Sequence, residues 1–398
     1  MALKRIGIIG GGIVGLATAF RLLEKCGVAK VILFEKEDRV GAHQSSHNSG
    51  VLHAGLYYKP GSEKAKLAVR GIKQMVAFCK QYNIPHEICG KLVVATNTHE
   101  VERLRNLFHQ GVANGLSGLK LLEGSEIRRY EPNVNGIGAI FVPEEGIVDY
   151  SAVCERLAGI IMERGGEIRL NSKVNCLKFK DGVWEVRTTN GGEFAVDYIV
   201  NCGGLHCDRI ATMAGEKPDV RIIPFRGEYY KIRKERESIV KNLVYPVPDP
   251  KFPFLGVHFT RLIYGGLEAG PNAVLAFSRE GYSLWKINLI DLADSLSFKG
   301  FCRFLSKYPE MIRRELKISL SKSYFCRELK RLVPEIEEVD LESGPSGVRA
   351  QALGKDGSLV QDFCIIKQEK ALHILNAPSP AATASLAIGE KIASLIGV

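Results

Sequence analysis

The first 36 residues constrain the fold more tightly than any other stretch of this chain. A short apolar run, Ile6 to Ile9, leads into Gly10, Gly12 and Gly15 in G-x-G-x-x-G spacing. An apolar helical stretch, Ile13 to Leu23, follows, and then a second strand, Val31 to Phe34, ending in Glu35. Each part has a physical task. The first glycine permits a tight turn, the second lets backbone N–H groups reach a pyrophosphate, and the third lets the helix pack on the strand. Ile13 and Val14 stand at the helix N-terminus, where unpaired donors and the positive dipole end favour phosphate. Glu35, 20 residues beyond Gly15, is placed to accept hydrogen bonds from ribose hydroxyls. The pattern predicts a βαβ unit that binds a dinucleotide.

At 398 residues the chain exceeds one ordinary core and is expected to form two domains. Its ten cysteines lie scattered with no C-x-x-C pair, which argues against zinc or a disulfide framework and for reduced thiols in the cytoplasm. Lys4 and Arg5 before an apolar run imitate a signal peptide, but cleavage there would destroy the glycine fingerprint. No stretch reaches the ~18 uncharged apolar residues of a membrane span. The net charge of +10 is unevenly placed: residues 286–331 hold eleven Lys and Arg against five Asp and Glu. Apolar spacing there predicts two amphipathic helices, Ser295 to Tyr308 and Pro309 to Leu332. Their basic face is either a solvated surface or an adhesive for an anionic membrane. Nucleic acid is not expected, since no binding motif accompanies the charge.

Downstream, a polar, glycine-bearing loop spans Gly41 to Gly61, and Ile137 to Ile147 reads as a hairpin. An apolar strand, Tyr198 to Asn201, runs into Cys202, Gly203 and Gly204, which suits a strand tip at a ligand crevice. Strands at Phe363 to Lys367 and Leu372 to Asn376 precede Ala377 to Ala382, where small residues open a final helix through Ile396. Cofactor-facing segments thus recur far apart, near Gly10, Asn201 and Ser379. A nicotinamide enzyme usually keeps its cofactor domain in one block, so this dispersal points to FAD, a longer embedded ligand. The expected architecture is α/β. Residues 1–85, 146–218 and 334–398 form a discontinuous FAD-binding Rossmann-like domain, and residues 86–145 and 219–333 form an inserted antiparallel β-sheet substrate domain with helices.

Several longer motifs are more specific than the glycine fingerprint. They are His47-Asn48-Ser49-Gly50-Val51-Leu52-His53-Ala54-Gly55-Leu56-Tyr57-Tyr58, Arg226-Gly227-Glu228-Tyr229-Tyr230 and Leu255-Gly256-Val257-His258-Phe259-Thr260-Arg261. Gly344-Pro345-Ser346-Gly347-Val348-Arg349-Ala350-Gln351 and Asn376-Ala377-Pro378-Ser379-Pro380-Ala381-Ala382-Thr383 add to them. In these the chain resembles the L-2-hydroxyglutarate oxidases/dehydrogenases, within the wider D-amino-acid-oxidase-like flavoproteins. The resemblance implies a GR2-type FAD domain and oxidation of L-2-hydroxyglutarate to 2-oxoglutarate, with hydride transfer to flavin N5 and electrons passed to quinone or O2. The enzyme is expected to be cytoplasmic, free or peripheral on the inner face of the membrane. The alternatives are an amino-acid or glycerol-3-phosphate oxidase of the same fold, or a membrane-docked flavoprotein adaptor.

Oxidising a 2-hydroxy acid removes a hydride from the α-carbon and a proton from the hydroxyl, and histidine suits the proton. His53 and His258 are expected to serve as base and hydroxyl-orienting partner, with the order left open. A dicarboxylate needs fixed cations, and arginine's planar fork matches a carboxylate. The wider fold commonly places an arginine over the flavin, which implies Arg349 at the α-carboxylate. Arg226 or Arg261 is expected at the distal one, with Tyr57, Tyr58 or Tyr229 donating hydroxyl hydrogen bonds. The expected cofactor shell is Gly10, Gly12, Ile13, Val14, Gly15, Glu35 and Lys36, with Ser45, Ser46, His47, Ser49 and Gly50. Val174, Cys202, Gly203, Gly347, Ser379, Pro380, Ala381, Ala382 and Thr383 complete it. Nothing singles out a tethering Cys or His, so the flavin is expected to be non-covalent, and no metal is expected.

Overall fold

A computed structural model describes residues 5–25, 30–250 and 254–397; Lys4 and Cys26 lie outside the described residues. The glycine fingerprint opens a six-stranded sheet in the order Cys364–Lys367, Ala371–Asn376, Tyr198–Asn201, Arg5–Ile9, Lys30–Phe34, Glu167–Arg169. Its pairs are parallel except the first. Parallel strands are buried on both faces, and the side chains divide accordingly. Val31 and Leu33 pack toward helices Ile13–Leu23, Glu63–Gln81, Tyr150–Glu163 and Ser385–Ile396, while Ile32 and Phe34 face the other way. There a three-stranded antiparallel sheet, Val174–Lys180, Val183–Thr188 and Glu193–Val196, covers them with Leu177, Trp184 and Val186. Each such side chain contributes about 1.5–3 kcal/mol by leaving water.

A nine-stranded sheet forms the second layer. It is antiparallel with one exception: Leu243–Pro246 runs parallel to Lys91–Ala95, because these edges come from separate stretches of chain. Strand Leu341–Gly354 pairs along Val220–Ile232, so it belongs to this larger sheet although the sequence boundaries assign it to the cofactor side. The expected hairpin at 137–147 is also divided. Gly138–Val142 joins the nine-stranded sheet, while Gly146–Val148 pairs with Val51–Leu52 and His86–Glu87 in a small sheet of its own. That small sheet brings the 51–58 segment against the turn at residue 145.

The basic segment differs from expectation too. The structure has four helices here, Leu289–Ser297, Lys299–Lys307, Pro309–Leu320 and Lys322–Lys330, rather than two. Ser321 ends one and caps the next by accepting the Tyr324 N–H. Phe301, Phe304, Met311, Phe325 and Leu329 bury the apolar faces against the large sheet. The final helix begins at Ser385, and residues 377–384 form a loop before it. The nine described cysteines are all free.

Candidate active site

A cavity of about 970 Å³ is lined from both large sheets. At its cofactor end the glycine loop behaves as the spacing requires. Gly10 has φ +112°, and a Cβ there would meet the Cys202 carbonyl oxygen at 2.4 Å; a Cβ on Gly15 would meet the Gly10 carbonyl oxygen at 2.0 Å. No side chain caps helix Ile13–Leu23 at Gly12, and Gly12, Ile13 and Val14 line the cavity. The helix N-terminus is therefore presented to an anion. Ser45 Oγ accepts the Ile13 N–H at 2.9 Å. Glu35 is buried on the same wall, its carboxylate accepting the N–H groups of Gly11 at 2.7 Å and Glu37 at 2.9 Å. Two carboxylate oxygens offer about four lone-pair sites, so capacity remains for ribose hydroxyls. This cradle fits FAD, and the loop Ser379, Pro380, Ala381, Ala382 and Thr383 faces the same space.

Most of the expected shell reaches this wall: Lys36, Ser45, His47, Ser49, Val174, Cys202, Gly203 and Gly347 all line it. Gly15, Ser46 and Gly50 do not; Gly15 acts through helix packing, and Ser46 Oγ turns back to the Gly41 carbonyl. Burial raises the Cys202 thiol to about 12, so no reactive thiolate faces the cavity from that position. Glu37, His43 and Glu280 carry ligand atoms within 4.8 Å of one another, but Lys36 Nζ already bonds both carboxylates and serves as their cation.

Away from the glycine loop the cavity wall gathers His53, His258, Arg349, Tyr57, Tyr58 and Tyr229. His258, on strand His258–Arg261, is 5% exposed and stacks on Tyr245 at 3.8 Å. Burial, with lesser contributions from Arg349, Lys91 and His53, depresses its pKa to about 3, against the Gly256 hydrogen bond. The ring is therefore neutral near pH 7. Its Nδ1 lies 2.9 Å from the Gly256 carbonyl, which can only accept, so Nδ1 carries the hydrogen and Nε2 is an acceptor. Arg349 is half-buried, its guanidinium carbon 5.5 Å from the Phe254 ring centre, and among the described residues it forms no ion pair. It is available for a ligand carboxylate. Burial holds the hydroxyls of Tyr57, Tyr58 and Tyr229 protonated, with Tyr229 pushed up to about 12, so they serve as donors.

Arg226 and Arg261 are not on the cavity wall. Arg226 is 1% exposed and pairs with Glu228 at 2.9 Å. Residue Phe225, not Arg226, pairs with Arg349 across the strands, so the two arginines project to opposite faces. Arg261 is engaged by Glu87 at the sheet margin. Sequence reasoning missed three cations on the wall, Lys64, Lys173 and Arg209; Lys64 Nζ sits 4.6 Å from the Tyr58 ring centre, and burial lowers it to about 8. Lys64 falls in a stretch that reads only as a surface helix face.

Sequence reasoning also missed a buried charge pair beneath the histidines. Lys91 and Glu145 are both fully buried and in direct contact, with Lys91 Nζ 4.6 and 4.7 Å from the ring centres of Tyr57 and Tyr245. Burial alone would raise Glu145, but Lys91 and then His53 overcome it and hold the carboxyl at about 2. His53 Nδ1 lies 3.5 Å from Glu145 Oε2. Buried charges of this kind survive only in pairs, but no local pattern announces the pairing.

The family model for FAD dependent oxidoreductases (DAO) matches residues 5–395. An L-2-hydroxyglutarate dehydrogenase of Indibacter alkaliphilus is 51% identical over 386 residues, covering 97% of this chain and 96% of that protein. The L-2-hydroxyglutarate dehydrogenase of Escherichia coli K12 is 44% identical over 390 residues, covering 98% and 92%. Among solved structures, an L-α-glycerophosphate oxidase from Mycoplasma pneumoniae with FAD bound superposes with a TM-score of 0.79 at 24% identity, covering 100% of this chain and 96% of that one. A glycine oxidase from Geobacillus kaustophilus gives 0.74 at 19% identity, covering 99% and 95%. These structures share the fold.

Proposed function

The chain belongs to the DAO family of FAD-dependent oxidoreductases, with non-covalent FAD as cofactor, and from that premise we propose that it oxidises L-2-hydroxyglutarate to 2-oxoglutarate. The observation that carries this reading is the convergence of Arg349, His53 and His258 on the cavity whose other end cradles the dinucleotide. The chemistry FAD supplies when bound is acceptance of the α-hydride.

The protein's own groups do the rest. Arg349 holds the α-carboxylate with its planar fork and sets the α-carbon in place. The neutral His258 offers Nε2 as a hydrogen-bond acceptor, and with His53 it receives the substrate hydroxyl. Lys64 and the Tyr58 hydroxyl meet the distal carboxylate, the role expected of Arg226 or Arg261. A dicarboxylate thus finds a cation for each end. The substrate assignment is supported by the names of the relatives at 51% and 44% identity.

An anaerobic titration of the flavin absorbance band tests it. Bleaching by L-2-hydroxyglutarate and not by its D enantiomer is expected. A band that neither enantiomer bleaches overturns the substrate, and glycine and glycerol 3-phosphate are then tried on the same sample.

Peripheral adhesion to an anionic bilayer is supported by an apolar ridge that leads into the basic helices. Residues 283–290 are all exposed and include Leu284, Trp285, Ile287, Leu289 and Ile290, with Trp285 89% exposed. Lys286 within this ridge and the exposed Lys299, Arg303 and Lys307 nearby in sequence supply the charge that anionic headgroups attract.

A further inference from the structure

Two histidines reach the substrate end, and their surroundings are unlike. We propose that Glu145, paired with Lys91, is the positioning residue that makes His53 the base: it holds the ring with Nδ1–H toward its carboxylate and leaves Nε2 free for the substrate hydroxyl. This rests on the reading of the cavity as a hydroxy-acid site.

The small sheet sets the geometry. Val51 pairs with Ile147 and Leu52 with Gly146, so the next antiparallel step sets His53 opposite Glu145. Glu145 Oε1 accepts the Ala54 N–H at 3.1 Å, and Oε2 faces His53 Nδ1 at 3.5 Å. The carboxylate therefore grips the backbone next to the ring as well as the ring itself. The 3.5 Å contact is loose, and His53 Nδ1 has no better partner in its buried position. Such contacts tighten when the ligand closes the site. His53 N–H donates to Thr383 Oγ1 at 3.2 Å, which fixes the other side of the residue.

Charge balance then separates the two histidines. When the hydroxyl proton passes to His53 Nε2, the new imidazolium faces an ionised carboxylate. His258 faces only the neutral Gly256 carbonyl, and Lys91, Arg349 and His53 all oppose a positive charge on it. Tyr57 and Tyr245 complete the surroundings as neutral rings packed on Lys91. His258 is thus the acceptor that orients the hydroxyl. A buried ion pair is a poor source of stability in itself, because the cost of desolvating both charges offsets their attraction. The pair makes sense as a device acting on the ring beside it.

Glu145→Gln in the FAD-loaded enzyme tests the proposal. FAD content should be unchanged, while kcat falls about 100-fold with little change in KM, the loss expected of a misplaced group. A second readout needs no turnover. Histidine-selective 15N labelling, with His53 assigned from the missing signal of His53→Gln, should show an Nδ1–H tautomer that Glu145→Gln abolishes. If the single variant does not fold, Lys91→Met combined with Glu145→Gln removes both charges and should show the same tautomer loss. An unchanged His53 tautomer in an FAD-replete variant overturns the proposal, whatever the turnover. Failure of L-2-hydroxyglutarate to reduce the flavin would strike the substrate reading alone.

Discussion

Arg349→Lys isolates geometry from charge, because the substitution keeps the cation and discards the planar fork. Arg349 forms no ion pair among the described residues, so its guanidinium is free to meet a carboxylate with two parallel N–H donors. Lysine retains one such contact. The lost charge-assisted hydrogen bond is worth about 1.5–3 kcal/mol, and the stacking on Phe254 about 0.5–1 kcal/mol. Only the hydrogen bond bears on kcat/KM, because the ring contact is present with and without substrate; its loss amounts to about 10- to 140-fold at 1.4 kcal/mol per tenfold. Folding should barely register the change, since only the ring contact contributes to the free protein, and Tm should fall by no more than about 3 °C. The assay is anaerobic stopped-flow reduction of the flavin across a range of L-2-hydroxyglutarate concentrations, with FAD content measured on the same sample. A variant with full FAD and kcat/KM within about threefold of the parent would refute the placement of Arg349 at the substrate carboxylate.

Lys64→Met should raise KM for L-2-hydroxyglutarate about 10- to 100-fold by removing one charged hydrogen bond. Because burial lowers Lys64 to about 8, the parent's KM should climb as pH passes that value and the cation is lost, whereas the variant's KM should stay flat there; initial-rate kinetics from pH 6 to about pH 9.5 decide it. Gly15→Ala forces a methyl against the Gly10 carbonyl, and at about 1–3 kcal/mol for overpacking it should weaken FAD retention about 5- to 100-fold, read from flavin fluorescence released on dilution. Trp285→Ser should cut co-sedimentation with phosphatidylserine-containing vesicles about 10-fold, as one buried aromatic side chain is worth at least about 1.5 kcal/mol. Equal sedimentation of parent and variant would dismiss the ridge as the membrane contact.

The legible and illegible parts of this protein divide by how far apart the interacting residues stand in the chain. The dinucleotide cradle was readable because its constraints fall within Gly10 to Glu35, where a turn, a helix start and a strand end are neighbours. The motifs around His53, His258 and Arg349 singled out three residues that line the cavity. The helix pattern at 309–332 misled because periodicity sees amphipathic faces and not the break at Ser321, whose capping bond resets the helix axis. The alternating faces of paired strands decided between Arg349 and Arg226, and a shift of one position moves a side chain from the cavity wall to the far side of the sheet.

The sequence by itself determined that this chain builds a parallel sheet around an FAD cradle and belongs with the L-2-hydroxyglutarate flavoproteins, because those signals are local or carried in contiguous motifs. Only the tertiary structure decided which cations line the cavity and that Lys91 and Glu145 meet beneath His53. Glu145 lies 54 residues from Lys91 and 92 from His53. Their contact exists because a three-stranded sheet closes between the two larger ones, and the cost of leaving a buried charge alone makes each residue's role depend on the other's position.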